Sequence, residues 1–338
     1  MNDNTAEITA RVEEITGRPV YGRIKIVSDT TDWMNITWGD VLYIGGRYYL
    51  LKGNMMEPRF GIDDQPKLWV FRAIDLETEK VKIIKTVFNE EFIAHIGFLK
   101  IRCYRSPEKE GKVLDVVRGN PFFMQGHPFI DSEGNNVRII DFIHGKTLFH
   151  KIPSIEKDHK TYFHEDLPLI MQNLLLCLKS IAILHENDLC HGDIRNDHII
   201  IDSETGTYRW IDFDLKQDVS DFDIWSFGNI INYAVSKGIV TFKSILKDKS
   251  FSERVRKSLS MEHASAFYEY RIMDVGHIFP YVSKRLRNLL QHFTISPKSY
   301  FTKIDDLIDA FSEVVDVDFS GQKANIRGVG VQSTEEKS

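Results

Sequence analysis

Three short aspartate-bearing motifs crowd into the stretch from Leu189 to Gly228, LCHGDIRNDHIIIDSETGTYRWIDFDLKQDVSDFDIWSFG. They are His191-Gly192-Asp193, Asp212-Phe213-Asp214 and Asp223-Ile224-Trp225-Ser226-Phe227-Gly228. Asp193 lies in a loop between an apolar predicted helix, Leu167 to Leu184, and a predicted strand, Ile199-Ile200-Ile201. Asp212 follows a second predicted strand, Tyr208-Arg209-Trp210-Ile211. A lone carboxylate at such a strand end suits Mg²⁺, a hard cation that takes oxygen ligands and shares them with substrate phosphates. The plainer reading is of ordinary turns, in which Asp is common because it tolerates turn geometry. Three such motifs in this order favour the chemical reading.

In sequence and spacing the motifs resemble the catalytic half of the protein-kinase-like superfamily: H-x-D in the catalytic loop, D-F-G, and the D-x-W-S-x-G that opens a buried helix. The resemblance implies phosphoryl transfer from ATP, for which a protein mainly positions groups and neutralises charge. It implies that Asp193 accepts or orients the proton of the attacking hydroxyl and that Asp212 holds the metal. Arg195 falls where the family has its basic catalytic-loop residue. The family places Asn five residues after the catalytic Asp, whereas this chain has His198. An imidazole there either ligates a divalent ion, with Mn²⁺ suited better than Mg²⁺, or hydrogen-bonds the catalytic loop.

Upstream, VFRAIDLETEKVKIIK at Val70 to Lys85 is similar to the family's second and third strands joined by a D-x-x-T turn. The resemblance puts Lys85 on the α and β phosphates, held by a carboxylate from the next helix. That helix is predicted to start at Ser106-Pro107, with Ser as N-cap, Pro in the first turn and early acids. Glu110 is the candidate partner and Glu91 its competitor. VRIIDFIHGKTL, Val137 to Leu148, resembles the hinge between the lobes. The resemblance assigns adenine contacts to the backbone at Asp141 and Ile143, with Ile140 beside the pocket and Ile200 as its floor; the same aliphatics serve as core packing in any case. The segment Leu51 to Gln65 carries two glycines, Gly53 and Gly61, and lacks G-x-G-x-x-G, and Asp63 and Asp64 oppose a polyphosphate unless a metal intervenes.

The expected fold is α+β: a bilobal protein-kinase-like fold with a β-rich N-lobe and a mainly helical C-lobe. The organisation reads as an N-terminal extension at 1–35 with one helix at Thr5 to Thr16, an N-lobe at 36–143, a C-lobe at 144–317 and a flexible tail at 318–338. ITWGDVLYIGGRYYLL, Ile36 to Leu51, predicts a hairpin turning at Gly45-Gly46, and Ile304 to Val315 predicts a closing helix. The segment Phe88 to Tyr104 is longer than the family's connection between the lysine strand and the next helix.

With 338 residues, 42% hydrophobic, the chain can bury a sizeable core. A net charge of −6 without a basic run does not indicate nucleic acid as a partner. Cys103, Cys177 and Cys190 lack metal or redox spacing, and with no apolar N-terminal signal they fit a cytoplasmic protein with reduced thiols. The apolar stretch Leu167 to Leu184, interrupted by Gln172, Asn173 and Lys179, reads as a buried helix rather than a membrane span.

The acceptor is approached through an absence, since eight residues separate Asp214 from Asp223. The family's protein kinases carry there a long activation segment with A-P-E, against which peptide substrates dock. Three readings follow: an atypical serine/threonine protein kinase, a small-molecule or carbohydrate kinase, and a nucleotide-binding pseudokinase that acts as an interaction module. ATP with Mg²⁺ or Mn²⁺ is the expected ligand set, and the hydroxyl acceptor is left open.

Overall fold

Strand pairing in the N-lobe starts from tight turns whose chemistry is visible in the chain. The computed structural model describes residues 4–59, 62–96, 99–297 and 299–320. Helix α1 (Thr5–Thr16) ends on Gly17 in the left-handed region and precedes β1 (Ile26–Val27). Strands β2 (Val41–Ile44) and β3 (Arg47–Arg59) pair across Gly45 and Gly46, both at positive φ, the turn form that matches the twist of a two-residue hairpin. A side chain at 45 would also press against the Phe129 ring, 2.5 Å from a Cβ there. The long strand β4 (Ile62–Asp75) returns along β3 with register shifts between Leu51 and Asn54 and again nearer the tip. At its far end the Asp75 carboxylate accepts the amides of Glu77 and Thr78 and pairs with Arg47, which closes the turn into β5 (Val81–Lys85).

The connection after Lys85 is a hairpin of its own, β6 (Glu91–Ile96) and β7 (Leu99–Arg105), followed by α2 (Pro107–Val116), β8 (Gly126–Ile130) and β9 (Asn136–Asp141). The main sheet has the order β1-β2-β3-β4-β5-β9-β8. One face buries Leu42, Leu51, Phe71, Ile84 and Ile139. The other packs Val41, Leu50 and Leu76 against Ile8 and Val12 of α1, so the first helix shares a core with the sheet rather than lying apart from it.

Past β9 the chain forms β10 (Gly145–Thr147), α3 (Leu148–Lys151), α4 (His159–Glu165) and the long α5 (Leu167–Glu186). By length and composition α5 is the one described helix that could cross a bilayer. Its Leu174, Cys177, Leu178, Ile181 and Leu184 are buried in the C-lobe core with α6 and α10. Strands β11 (Ile199–Asp202) and β12 (Tyr208–Trp210) form a small sheet with β10, and β13 (Leu215–Gln217) leads into α6 (Phe222–Val235). Helices α7 (Phe242–Lys247), α8 (Glu253–Ser258), α9 (Lys284–Gln291) and α10 (Ile304–Asp318) complete the lobe. The fold is α+β and bilobal, a curled β-rich lobe over a helical one, as in the kinase-like architecture. The predicted tail from 321 onward lies outside the described residues.

One arrangement departs from a simple connection between Lys85 and α2. Strand β7 pairs antiparallel with β13, Arg105 opposite Leu215, so β6, β7 and β13 make a third sheet that joins the two lobes. Its apolar side is a small cluster of Ile101, Cys103 and Leu215.

Candidate active site

Lys85, the last residue of β5, points into the interface of the lobes, where its side chain is 8% exposed. Its ammonium donates to Glu110 Oε1 at 2.6 Å and to Asp212 Oδ1 at 2.5 Å. Glu110 reaches it because Ser106 caps α2, accepting the Lys109 amide, and Pro107 sets the first turn. The competitor Glu91 lies exposed on β6 and pairs with Arg102. Glu110 is completely buried and also receives Arg138 Nε at 3.1 Å and the Phe213 amide at 3.3 Å. Burial alone would lower the Lys85 ammonium; the carboxylates of Asp212 and Glu110 overcome it and raise it above the ordinary lysine range.

Asp212 sits past β12 at φ +70°, an uncommon conformation for a non-glycine residue. Its Oδ2 accepts Lys67 Nζ at 3.1 Å, and His198 Nε2 lies 3.6 Å away. Against the opposing effect of burial, Lys67 and Lys85 hold this carboxyl well below the usual range. Phe213 is fully buried against Phe123 and His191. Asp214 accepts Arg105 Nη1 at 2.8 Å through its side chain and the Ser106 amide at 2.6 Å through its backbone, which ties the DFD turn to the start of α2.

The catalytic-loop segment is held from beneath. Asp223 accepts the amides of His191 and Gly192 at 2.7 and 2.8 Å, and His185 Nε2 lies 3.1 Å from it. From above, the buried Lys109 of α2 donates to His191 O at 2.7 Å and Leu215 O at 2.6 Å. Asp193 emerges from this loop into the cleft. Arg195 chelates Asp197 and keeps Nη1 3.8 Å from Asp193. His198 Nδ1 lies 2.8 Å from Asp193 O and must carry the hydrogen against that carbonyl, so a neutral ring presents its Nε2 lone pair on the Asp212 side.

A cleft of about 840 Å³ joins these groups. Ile140, Ile143 and Ile200 line it with Val70, Ile83 and Met124, an apolar slot at the hinge end. The Asp141 amide is taken by Gln125 O at 2.8 Å and its carboxylate by Lys82. The β3–β4 hairpin overhangs the cleft with Met55, Met56 and Lys67. Gly61 and the side chains of Asp63 and Asp64 lie outside the described residues.

The structure thus brings Lys85, Glu110, Asp212, Asp193 and His198 together and leaves Glu91 outside. Lys67, Arg105, Lys109, Arg138 and Asp223 complete the constellation. Only Asp223 had a sequence signal, its place in the D-x-W-S-x-G motif; an isolated Lys or Arg reads as a solvated surface charge.

The fold is kinase-like, and one cleft gathers these polar groups. No family model matches the chain. It is similar to a probable serine/threonine-protein kinase of Dictyostelium discoideum, 25% identical over 167 residues, 48% of this chain and 33% of the relative. It is also similar to ribosomal protein S6 kinase alpha-2 of Mus musculus, 28% identical over 137 residues, 40% of this chain and 18% of the relative. A third similarity is to calcium/calmodulin-dependent protein kinase type II of Caenorhabditis elegans, 25% identical over 129 residues, 38% of this chain and 17% of the relative. The chain therefore spans a third or less of the length of these relatives. Together the similarities and the bilobal fold support a place in the protein-kinase-like superfamily.

Proposed function

We propose that the protein is an ATP-dependent phosphotransferase, and within that class an atypical serine/threonine protein kinase of two lobes, 36–143 and 144–317. The observation that carries this reading is the buried Lys85–Glu110–Asp212 cluster facing Asp193 across one cleft. An ammonium has three N–H donors; Glu110 and Asp212 take two, which leaves one for a nucleotide phosphate. The adenine lies in the apolar slot of Ile140, Ile143 and Ile200, with the Asp141 carbonyl and Ile143 amide as its backbone contacts. Asp193 takes the proton of the acceptor hydroxyl, and Arg195, pre-oriented by Asp197, faces the transferred group.

Asp212 Oδ2 and His198 Nε2 fit a divalent ion as protein donors, since such an ion completes its shell from phosphates and water. Mg²⁺ or Mn²⁺ held there would neutralise phosphate charge. Lys67 occupies the same carboxylate oxygen and must yield it.

Purified protein incubated with γ-labelled ATP and Mg²⁺ or Mn²⁺, alone, with serine-containing peptides and with small alcohols, tests the reading. Label on protein or peptide is expected, with Asp193→Ala and Asp212→Ala each lowering transfer by about 10²-fold or more while the fold survives. Label on a small alcohol makes the protein a small-molecule kinase, and tight nucleotide binding without turnover makes it a pseudokinase. Near-normal turnover in folded Asp193→Ala removes the assignment.

A further inference from the structure

The charged groups lining the cleft form a nearly complete set of pairs. Lys67 and Lys85 face Asp212. Arg105 faces Asp214 and Glu90. Arg195 faces Asp197 and Asp193, and Asp141 faces Lys82. Among the described residues one charged side chain lining the cleft, Arg271, has no carboxylate within ion-pair distance.

Arg271 is nevertheless fixed in place. Its guanidinium lies 3.9 Å from the Tyr268 ring centroid and 5.4 Å from that of Tyr270, whose hydroxyl accepts Nε at 3.3 Å. Its backbone is bridged to Thr241, and its carbonyl accepts the Ser265 amide. Tyr268 and Arg271 line the same cleft as Asp193 and Arg195. Phe222 and Phe267 line the same end of the cleft. Eight residues separate Asp214 from Asp223, and three of them form β13, so the run is short. A pre-oriented guanidinium with no counter-charge among the described residues, in the same cleft as a carboxylate placed to take a hydroxyl proton, is complementary to an acceptor bearing a negative charge near its hydroxyl.

We propose that Arg271 is an anion-binding subsite for the phosphate acceptor, and that the preferred acceptor is a serine or threonine with a carboxylate- or phosphate-bearing side chain beside it in the peptide. This rests on the phosphotransferase reading above. In the step, the acceptor oxygen bonds to the γ-phosphorus as the bond from that phosphorus to the β–γ bridging oxygen breaks. ADP leaves with the electron pair, and the hydroxyl proton passes to Asp193. Arg271 touches neither bond; it sets which hydroxyl is presented.

The test measures transfer from γ-labelled ATP to single-serine peptides that differ at the flanking positions: neutral, glutamate, phosphoserine or lysine. Glycerol 3-phosphate and glycerol serve as free acceptors. Acidic or phosphorylated peptides are expected to exceed the neutral one by about tenfold or more in kcat/KM, the scale of a charge-assisted hydrogen bond. The preference should shrink as salt rises. Arg271→Gln should collapse the acidic-to-neutral ratio towards one, and Arg271→Lys should recover part of it, which a merely structural arginine would not show. Equal rates on acidic, neutral and basic peptides, or a ratio unmoved by Arg271→Gln, overturn the subsite and leave the phosphotransferase reading standing. Transfer to glycerol 3-phosphate in place of any peptide overturns the peptide source. Absence of transfer to every acceptor and to the protein itself removes the phosphotransferase reading, and this subsite with it.

Discussion

Lys109 Nζ occupies the space that a side chain at residue 192 would need: a Cβ on Gly192 would lie 2.9 Å from that nitrogen and 2.3 Å from Leu215 O. Gly192 also adopts φ +83°, where other side chains are strained. The small residue in HGD is thus matched to a lysine on another element, and α2 grips the catalytic loop and β13 through one ammonium.

Lys109→Met should therefore leave two buried carbonyls unpaired, at about 1–3 kcal/mol for each, and lower the transfer rate more than it weakens nucleotide binding. Denaturant unfolding and a kcat-against-KM comparison check this. A variant with wild-type stability and turnover would show that the contact is incidental.

Glu110 serves two buried cations, Lys85 and Arg138. Glu110→Ala should destabilise the protein by about 3–5 kcal/mol, because it strands a buried charge, whereas Glu91→Ala, on an exposed strand, should leave the melting curve unchanged. Glu110→Gln is the better partner for a double-mutant cycle. Combined with Lys85→Ala it should cost little more than Lys85→Ala alone, since contacting groups are non-additive. Full additivity in nucleotide binding would separate the two residues.

How far the site could be read in advance depended on the kind of residue. Asp193, Asp212 and Lys85 stand in short motifs whose order survives in the chain, and the cap at Ser106-Pro107 placed Glu110 on a helix. The hairpins at Gly45-Gly46 and Asp75–Thr78 were equally visible, because turn residues act locally. Lys67, Arg105 and Lys109 were not visible, because each is fixed by a partner far away in sequence, and Arg271 was not, because a lone arginine reads as a solvated surface charge. The three-residue β13 was hidden for the same reason: it is too short to show a period, and its existence depends on β7.

His198 tests metal choice. With Nδ1 committed to Asp193 O, its Nε2 and Asp212 are the donors on offer, so Mn²⁺ should raise the melting temperature in the presence of nucleotide more than Mg²⁺ does. His198→Asn should reverse that order by restoring an oxygen donor. An Asn variant with the wild-type order would make His198 a purely structural support of the loop.

Two buried histidines predict acid sensitivity. Burial lowers His191 to about 3 and His159 to about 4; His159 stacks on Phe279 at 3.6 Å, bonded to Val235 O and Tyr281. The unfolded chain takes up these protons from about pH 6.5 downward, while the folded chain stays neutral until nearly pH 4. Stability should therefore be complete above pH 6.5 and fall steadily between about 6.5 and 4, by an amount on the order of a few kcal/mol. Urea melts across that range measure it, and His159→Phe, which keeps the stack, should flatten part of the slope. A slope identical in wild type and variant would mean that His159 contributes none of it.

The pairing of β7 with β13 also has a kinetic meaning. Residues 105 and 215 meet only after the whole intervening chain has been looped back, a closure that costs entropy before it is rewarded. Strands this distant in sequence form late, and the turn carrying Asp212 and Asp214 lies directly before β13. A refolding chain should therefore acquire most of its helix and its N-lobe sheet before it gains nucleotide affinity, so that spectroscopic recovery runs ahead of functional recovery.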